Sequence, residues 1–168
     1  MDDALNAALS EVCGNCHLNG GCCFEARPPL CQERIDILLQ RGVDPEAIEF
    51  AGYRRLKLRP DGFCILFKDG GCSIHSFKPE TCVAGPFTFD MDGPRLQIFL
   101  KEESLCPMVR ILKADRKAYD ELFDISVKQI VALVEALPAA ELEEVLKIEE
   151  PETELVAEID LPERIPCK

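Results

Sequence analysis

The sequence predicts an α+β fold: a small antiparallel sheet of two hairpins with a cysteine-rich metal-binding loop region, flanking helices and a long C-terminal helix. Three observations carry this. The runs "FCILF" and "CSIHSF" enclose "KDGG", and "PFTFD" and "RLQIFL" enclose "MDGP", so twice a pair of apolar runs flanks turn residues that tolerate positive φ. After Cys106 apolar residues return at helical steps, with Tyr119, Leu122, Phe123, Val127, Ile130, Val134 and Leu137 forming one stripe that reads as core packing. Between the two patterns and ahead of them, cysteines sit among glycine and asparagine.

Each element follows from its residues. From Asp2 to Val12, Leu5, Ala8, Leu9 and Val12 recur at helical spacing and lead straight into Cys13. Gly14, Asn15, Asn19, Gly20 and Gly21 then allow the tight turning that a loop around an ion requires, and "FEARPPL" runs extended. "CQERIDILLQRG" predicts a helix with Ile35, Leu38 and Leu39 on one face, Gly42 past its end and Cys31 at the N-cap, where a thiol is a poor substitute for an oxygen. "PEAIEFAG" predicts a second short helix capped by Asp44, with Pro45 first and Gly52 as terminator. Pro138 starts a last helix through "AAELEEVLKIEE", and the acidic, proline-bearing ending "PETELVAEIDLPERIPCK" is expected to fray or to dock loosely. The expected organisation is a cysteine-cluster domain over 1–137, including the long helix, followed by an acidic helix and tail over 138–168.

With 168 residues and 47% hydrophobic content, the chain can build a core without cross-links. Its start, "MDDALNAALSEV", has neither the basic n-region of a secretory signal nor an apolar run long enough for an anchor, so a cytoplasmic protein with no membrane partner is expected. A reducing compartment turns ten cysteines from a disulfide framework into metal or redox chemistry. The net charge of −12 and pI near 4.6 argue against nucleic acid as a partner, because phosphate recognition is built on lysine and arginine. Other proteins are the expected partners. The one local basic stripe, "YRRLKLR" at 53–59, reads as a solvated strand face or loop, with an anion site or an acidic docking partner as the other reading.

Four features form the cysteine constellation: the C-x2-C pair Cys13 and Cys16, the vicinal pair Cys22 and Cys23, the trio Cys64, Cys72 and Cys82, and Cys106 in "LCP". C-x2-C brings two thiolates to one metal in a tight turn, in zinc and iron–sulfur sites alike. Vicinal side chains diverge, which suggests that Cys22 and Cys23 serve different metal atoms. Eight thiolates suit two four-coordinate sites, or one cluster with further thiols beside it. Sulfur ligation fits Zn2+ and iron equally. His17 and His75 read as surface or capping residues before they read as ligands, and Cys167, near the end of the chain, as a bystander. A dithiol redox catalyst is the other class, but no βαβ pattern surrounds Cys13 and Cys16, and no P-loop, GxGxxG or HExxH motif occurs.

"CGNCHLNGGCC", then "GFCILFKDGGCSIHSFKPETC", then "LCP" together resemble the CxxCxxxxCC cysteine-cluster family, the YkgJ-like zinc- or iron-chelating proteins, to which the flagellin lysine N-methylase is related; the resemblance covers residues 13–107. It implies that the ligands are Cys13, Cys16, Cys22, Cys23, Cys64, Cys72, Cys82 and Cys106, and that Cys31 stands outside the set at a position where the family has serine or threonine. His75 falls where the family often has tyrosine, which implies packing or hydrogen bonding. The methylase relationship implies a [4Fe-4S] cluster and methyl transfer. The leading expectation is a protein that binds an iron–sulfur cluster and acts in electron transfer or metallocluster handling. An iron–sulfur-dependent protein lysine methyltransferase and a structural zinc module that presents a protein-binding surface are the alternatives.

Overall fold

The computed structural model describes residues 21–149 and 152–161; the helix expected before Cys13, and with it Cys13, Cys16, His17 and Cys167, lies outside them. Among the described residues the fold is α+β, with five α-helices and three small antiparallel sheets. None of these helices is long and apolar enough to cross a membrane.

Helix α1, Gln32–Gln40, starts at Cys31, whose extended backbone sits at the N-cap with no side-chain cap bond. It ends in a Schellman motif: Gly42, at φ 83°, donates its N–H to Leu39 O and Val43 donates to Leu38 O, both at 3.0 Å. Ile35 and Leu38 are buried as the spacing requires, but Leu39 is 39% exposed. Val43 folds back through the motif into the same apolar cluster as Leu38 and fills the place that Leu39 was expected to take. Serine at position 31 should supply the missing cap at the cost of a buried apolar thiol. Cys31→Ser is therefore expected to move stability by no more than about 1 kcal/mol and to leave metal content unchanged, as denaturant unfolding and elemental analysis would read.

The helix expected over 45–52 does not form. Asp44 caps as predicted, its Oδ1 accepting the Glu46 N–H at 2.8 Å, but only a 3₁₀ turn, Pro45–Ala47, follows. Strand β1, Ile48–Phe50, then pairs with β2, Arg54–Leu56, and Gly52 turns between them at φ 81°. Ile48 and Phe50 are better strand than helix formers, and the opposing Arg54–Leu56 supplies a ladder that local reading does not see. The next hairpin has its predicted turn, with Asp69 and Gly70 both at positive φ. Its strands are shorter than the apolar runs suggest: β3 is Phe67–Lys68, β4 is Gly71–Cys72, and His75–Phe77 coils into a 3₁₀ turn.

After helix α2, Glu80–Ala84, comes the main sheet, in the order β5-β6-β7. Strands β5, Phe87–Asp92, and β6, Arg95–Lys101, form the second predicted hairpin. β6 alternates strictly, with Leu96, Ile98 and Leu100 buried. The helical run after Cys106 is two helices, α3, Met108–Ala114, and α4, Arg116–Ala136, because Asp115 leaves helical geometry and accepts the Ala118 N–H at 3.0 Å as an N-cap. Helix α5 is Ala139–Val145. The ending expected to fray instead forms β7, Thr153–Asp160, paired antiparallel to β6 along its length with a bulge at Ile98/Phe99. β6 presents Arg95 to Asp160 at 3.3 Å and Gln97 to Glu158 at 2.9 Å, so the acidic strand has partners for its charge.

Two apolar clusters result. In the larger, Leu122, Ile130, Leu133 and Val134 of α4 pack with Phe87, Leu96, Ile98 and Leu100 of the sheet. In the smaller, Leu30, Leu38, Val43, Ala47 and Leu56 surround Cys64 and Ile74, with Cys72 against them. Ion pairs join α1 to α2 through Arg34 and Glu80 at 2.9 Å, and β2 to α5 through Arg54 and Glu141 at 3.0 Å. The basic stripe at 53–59 is thus mostly internal: Arg55 pairs with Glu49 and Arg59 with Asp61, each at 2.8 Å.

Candidate metal centre

Cys22 and Cys23 lie on a 3₁₀ turn, Gly21–Cys23, pinned to the segment that leads into Cys64. Cys23 O accepts the Cys64 N–H, Gly62 O accepts the Glu25 N–H, both at 2.8 Å, and Phe24 and Phe63 form an antiparallel bridge. Aromatic rings wall this contact: Phe24 meets Phe63 edge-on at 5.3 Å, Phe63 stacks on Phe67 at 4.7 Å, and the Arg59 guanidinium lies 5.5 Å from the Phe63 ring centre. Gly62 permits the close approach. It sits at φ 86°, and a Cβ there would fall 2.7 Å from Cε2 of Phe24. Gly62→Ala is accordingly expected to cost about 1–2 kcal/mol. By pushing Phe24 it should also loosen the adjoining vicinal pair, visible as faster loss of metal to a competing chelator.

Cys72 ends β4, and Cys82 lies within α2. This short helix is tied at both ends. Glu80, 7% exposed, holds Arg34 through Oε1, while its Oε2 is buried without a hydrogen-bond partner. At the other end the buried Ser126 hydroxyl of α4 shares its proton between Ala84 O at 2.9 Å and Leu122 O at 2.7 Å.

The electrostatics bind five thiols into one neighbourhood. Cys22 and Cys23 hydrogen-bond through their side chains, which draws Cys22 down to about 6 against the opposing effect of burial, with help from Lys78 and Lys101. The same bond drives Cys23 strongly up, reinforced by burial and by the charges of Cys22, Cys72 and Cys82. The shared hydrogen bond and burial together oppose a second negative charge on the pair. Burial, then Cys22, Cys64 and Cys72, push Cys82 strongly up while Lys78 opposes, and burial with Cys72 raises Cys64. Each thiolate thus makes the next harder to form, and a cation among them reverses that balance. This donor set fits a thiophilic metal. Among the described residues no three cysteine, histidine or carboxylate side chains already converge as on a single ion, so the five thiols make a shared donor region and not a closed cage.

Cys31 is buried in the larger apolar cluster, and Cys106 packs half-buried against it, with its N–H bonded to Glu102 O at 3.0 Å. His75 is exposed on its 3₁₀ turn. Lys78 and Lys101, which act on the thiols, are residues that sequence reasoning did not single out. Lys78 precedes "PETC" closely enough to have been noticed, but Lys101 reaches Cys22 only through the fold.

A loop-and-hairpin scaffold that gathers thiols from separate segments, without disulfides among the described cysteines, defines a cysteine-based metal-binding protein. The family model CxxCxxCC, described as "Putative zinc- or iron-chelating domain", matches residues 12–107, more than half of the 168. The chain belongs to this family. Comparison with curated proteins and comparison with solved structures gave no match.

Proposed function

We propose that the domain holds an iron–sulfur cluster of the [4Fe-4S] type and acts in electron transfer or metallocluster handling. Its ligands are drawn from Cys13, Cys16, Cys22, Cys23, Cys64, Cys72, Cys82 and Cys106. The observation that carries this reading is the gathering of Cys22, Cys23, Cys64, Cys72 and Cys82 into one electrostatic neighbourhood flanked by Lys78 and Lys101. Thiolate-ligated clusters are anionic, and the two ammonium groups offset that charge. When bound, the cluster supplies one-electron chemistry. The residues supply soft donors, a half-buried setting and the fixed turn that holds the vicinal pair.

Anaerobic purification with metal and sulfide analysis tests the reading. The expected product is brown, contains iron and labile sulfide, and bleaches on reduction. A colourless protein with stoichiometric zinc would give the site to a structural zinc module instead. Binding of S-adenosylmethionine to the metal-loaded protein by calorimetry, with methylation of a target lysine, would give it to a methyltransferase. In either metal form, chelation is expected to lower the melting temperature, because metal that binds only the folded chain adds its binding energy to stability.

A further inference from the structure

We infer that the groove beside hairpin β3–β4 docks an acidic peptide segment of a partner protein, one that also carries apolar side chains. The groove encloses about 720 Å³, within the range of sites that take up several side chains or a drug-sized ligand. Three cations line it, Arg41, Lys57 and Lys68. In this chain of net charge −12, Arg34, Arg54, Arg55, Arg59, Arg95 and Arg116 each pair with a carboxylate of the chain itself. The Arg41 guanidinium lies 5.7 Å from the Phe77 ring centre instead, and among the described residues neither Arg41, Lys57 nor Lys68 has a carboxylate partner. The rim also carries two acids, Asp44, which caps the Glu46 N–H, and Glu46, so the cations leave the groove with a net positive charge.

The floor is apolar. Leu66 and Ile74 form part of it, each two residues from a thiol, Cys64 and Cys72, and all four belong to or pack on the smaller core. An inorganic anion would satisfy the cations and leave this floor wet, whereas a purely apolar segment would cover three cations without pairing them. Carboxylates interspersed with leucine or phenylalanine satisfy both, and place the partner beside two of the proposed metal ligands. The docking does not depend on which metal the thiols take, so failure of the iron–sulfur reading leaves it standing.

The test uses the purified metal-loaded chain and three fluorescent probes: nine-residue peptide pools of Asp/Glu with Leu/Phe, matched pools with Lys replacing the acids, and polyglutamate. The expected result is binding of the acidic–apolar pool alone, weakened by salt. The double variant Lys57→Glu, Lys68→Glu should weaken it at least about tenfold, while Arg110→Glu with Lys128→Glu, both exposed and outside the groove, should leave it unchanged. Amide shift changes in the unaltered protein should centre on Val43, Ala47, Leu66 and Ser73, a readout independent of how the variants fold. No binding, equal binding of polyglutamate, or shifts elsewhere would overturn the proposal. So would a dimer that the double variant dissolves, since the occupant would then be a second copy of this chain.

Discussion

A Cys82→Ser variant is expected to purify with most of its metal gone, its affinity reduced at least about 100-fold. Replacing an outer-sphere partner of a ligand already costs ~10–100-fold, and here the change removes a proposed ligand. The serine hydroxyl is a hard, weakly acidic donor and does not replace a soft thiolate. The position magnifies the loss, because the Cys82 thiol is pushed up by burial and then by Cys22, Cys64 and Cys72, so it lies among the other donors. The check is the metal-to-protein ratio with Cys31→Ser as reference. Full occupancy in Cys82→Ser would strike Cys82 from the ligand set, and loss of metal from Cys31→Ser would overturn its reading as an N-cap residue.

Glu141→Ala is expected to be the most damaging substitution away from the thiols, at about 3 kcal/mol and a melting temperature lower by ~6–10 °C. Glu141 Oε2 accepts the Arg54 backbone N–H at 2.9 Å and Oε1 accepts Arg54 Nε at 3.0 Å, with side-chain exposures of 11% for the glutamate and 23% for the arginine. Alanine leaves a strand amide without its acceptor and a half-buried guanidinium with only its bond to Gln32 Oε1 at 2.8 Å. Partial exposure of Arg54 keeps the cost at the lower end for a broken buried pair. Glu141→Gln retains one acceptor for the amide and should recover roughly half of the loss. Arg116→Ala, which breaks an exposed pair within α4, should cost no more than ~0.5 kcal/mol. Thermal and denaturant unfolding of these variants would decide between a pair that joins two halves of the molecule and a decorative one.

What the sequence made legible was local. The positive-φ turns at Asp69–Gly70 and at Gly93, the Gly42 helix stop, the Asp44 cap and the Cys31 N-cap each depend on residues within a few positions, and each is where the spacing put it. The largest departures are non-local. Ile48–Phe50 turns from helix to strand because Arg54–Leu56 lies opposite, and Thr153–Asp160 turns from tail to strand because β6 offers an edge with complementary charge. Leu39 loses its place in the core to Val43. The candidate site divides in the same way. Spacing alone nominated the thiols, but only the fold shows that five of them share one electrostatic neighbourhood, that Lys101 reaches it, and that Ser126 of a distant helix steadies the segment bearing Cys82.

Helix α2 is five residues long and yet is held from opposite sides, by Arg34 of the smaller core's helix at Glu80 and by Ser126 of the larger core's helix at Ala84. The thiol it carries thus sits on a segment anchored to both apolar clusters, which the Arg54–Glu141 pair also links. On the proposed ligand set, a metal held by Cys82 together with Cys64 and Cys72 would act as a rivet. Its capture or release would then bear on both apolar clusters, through Arg34 at one end of the segment and Ser126 at the other.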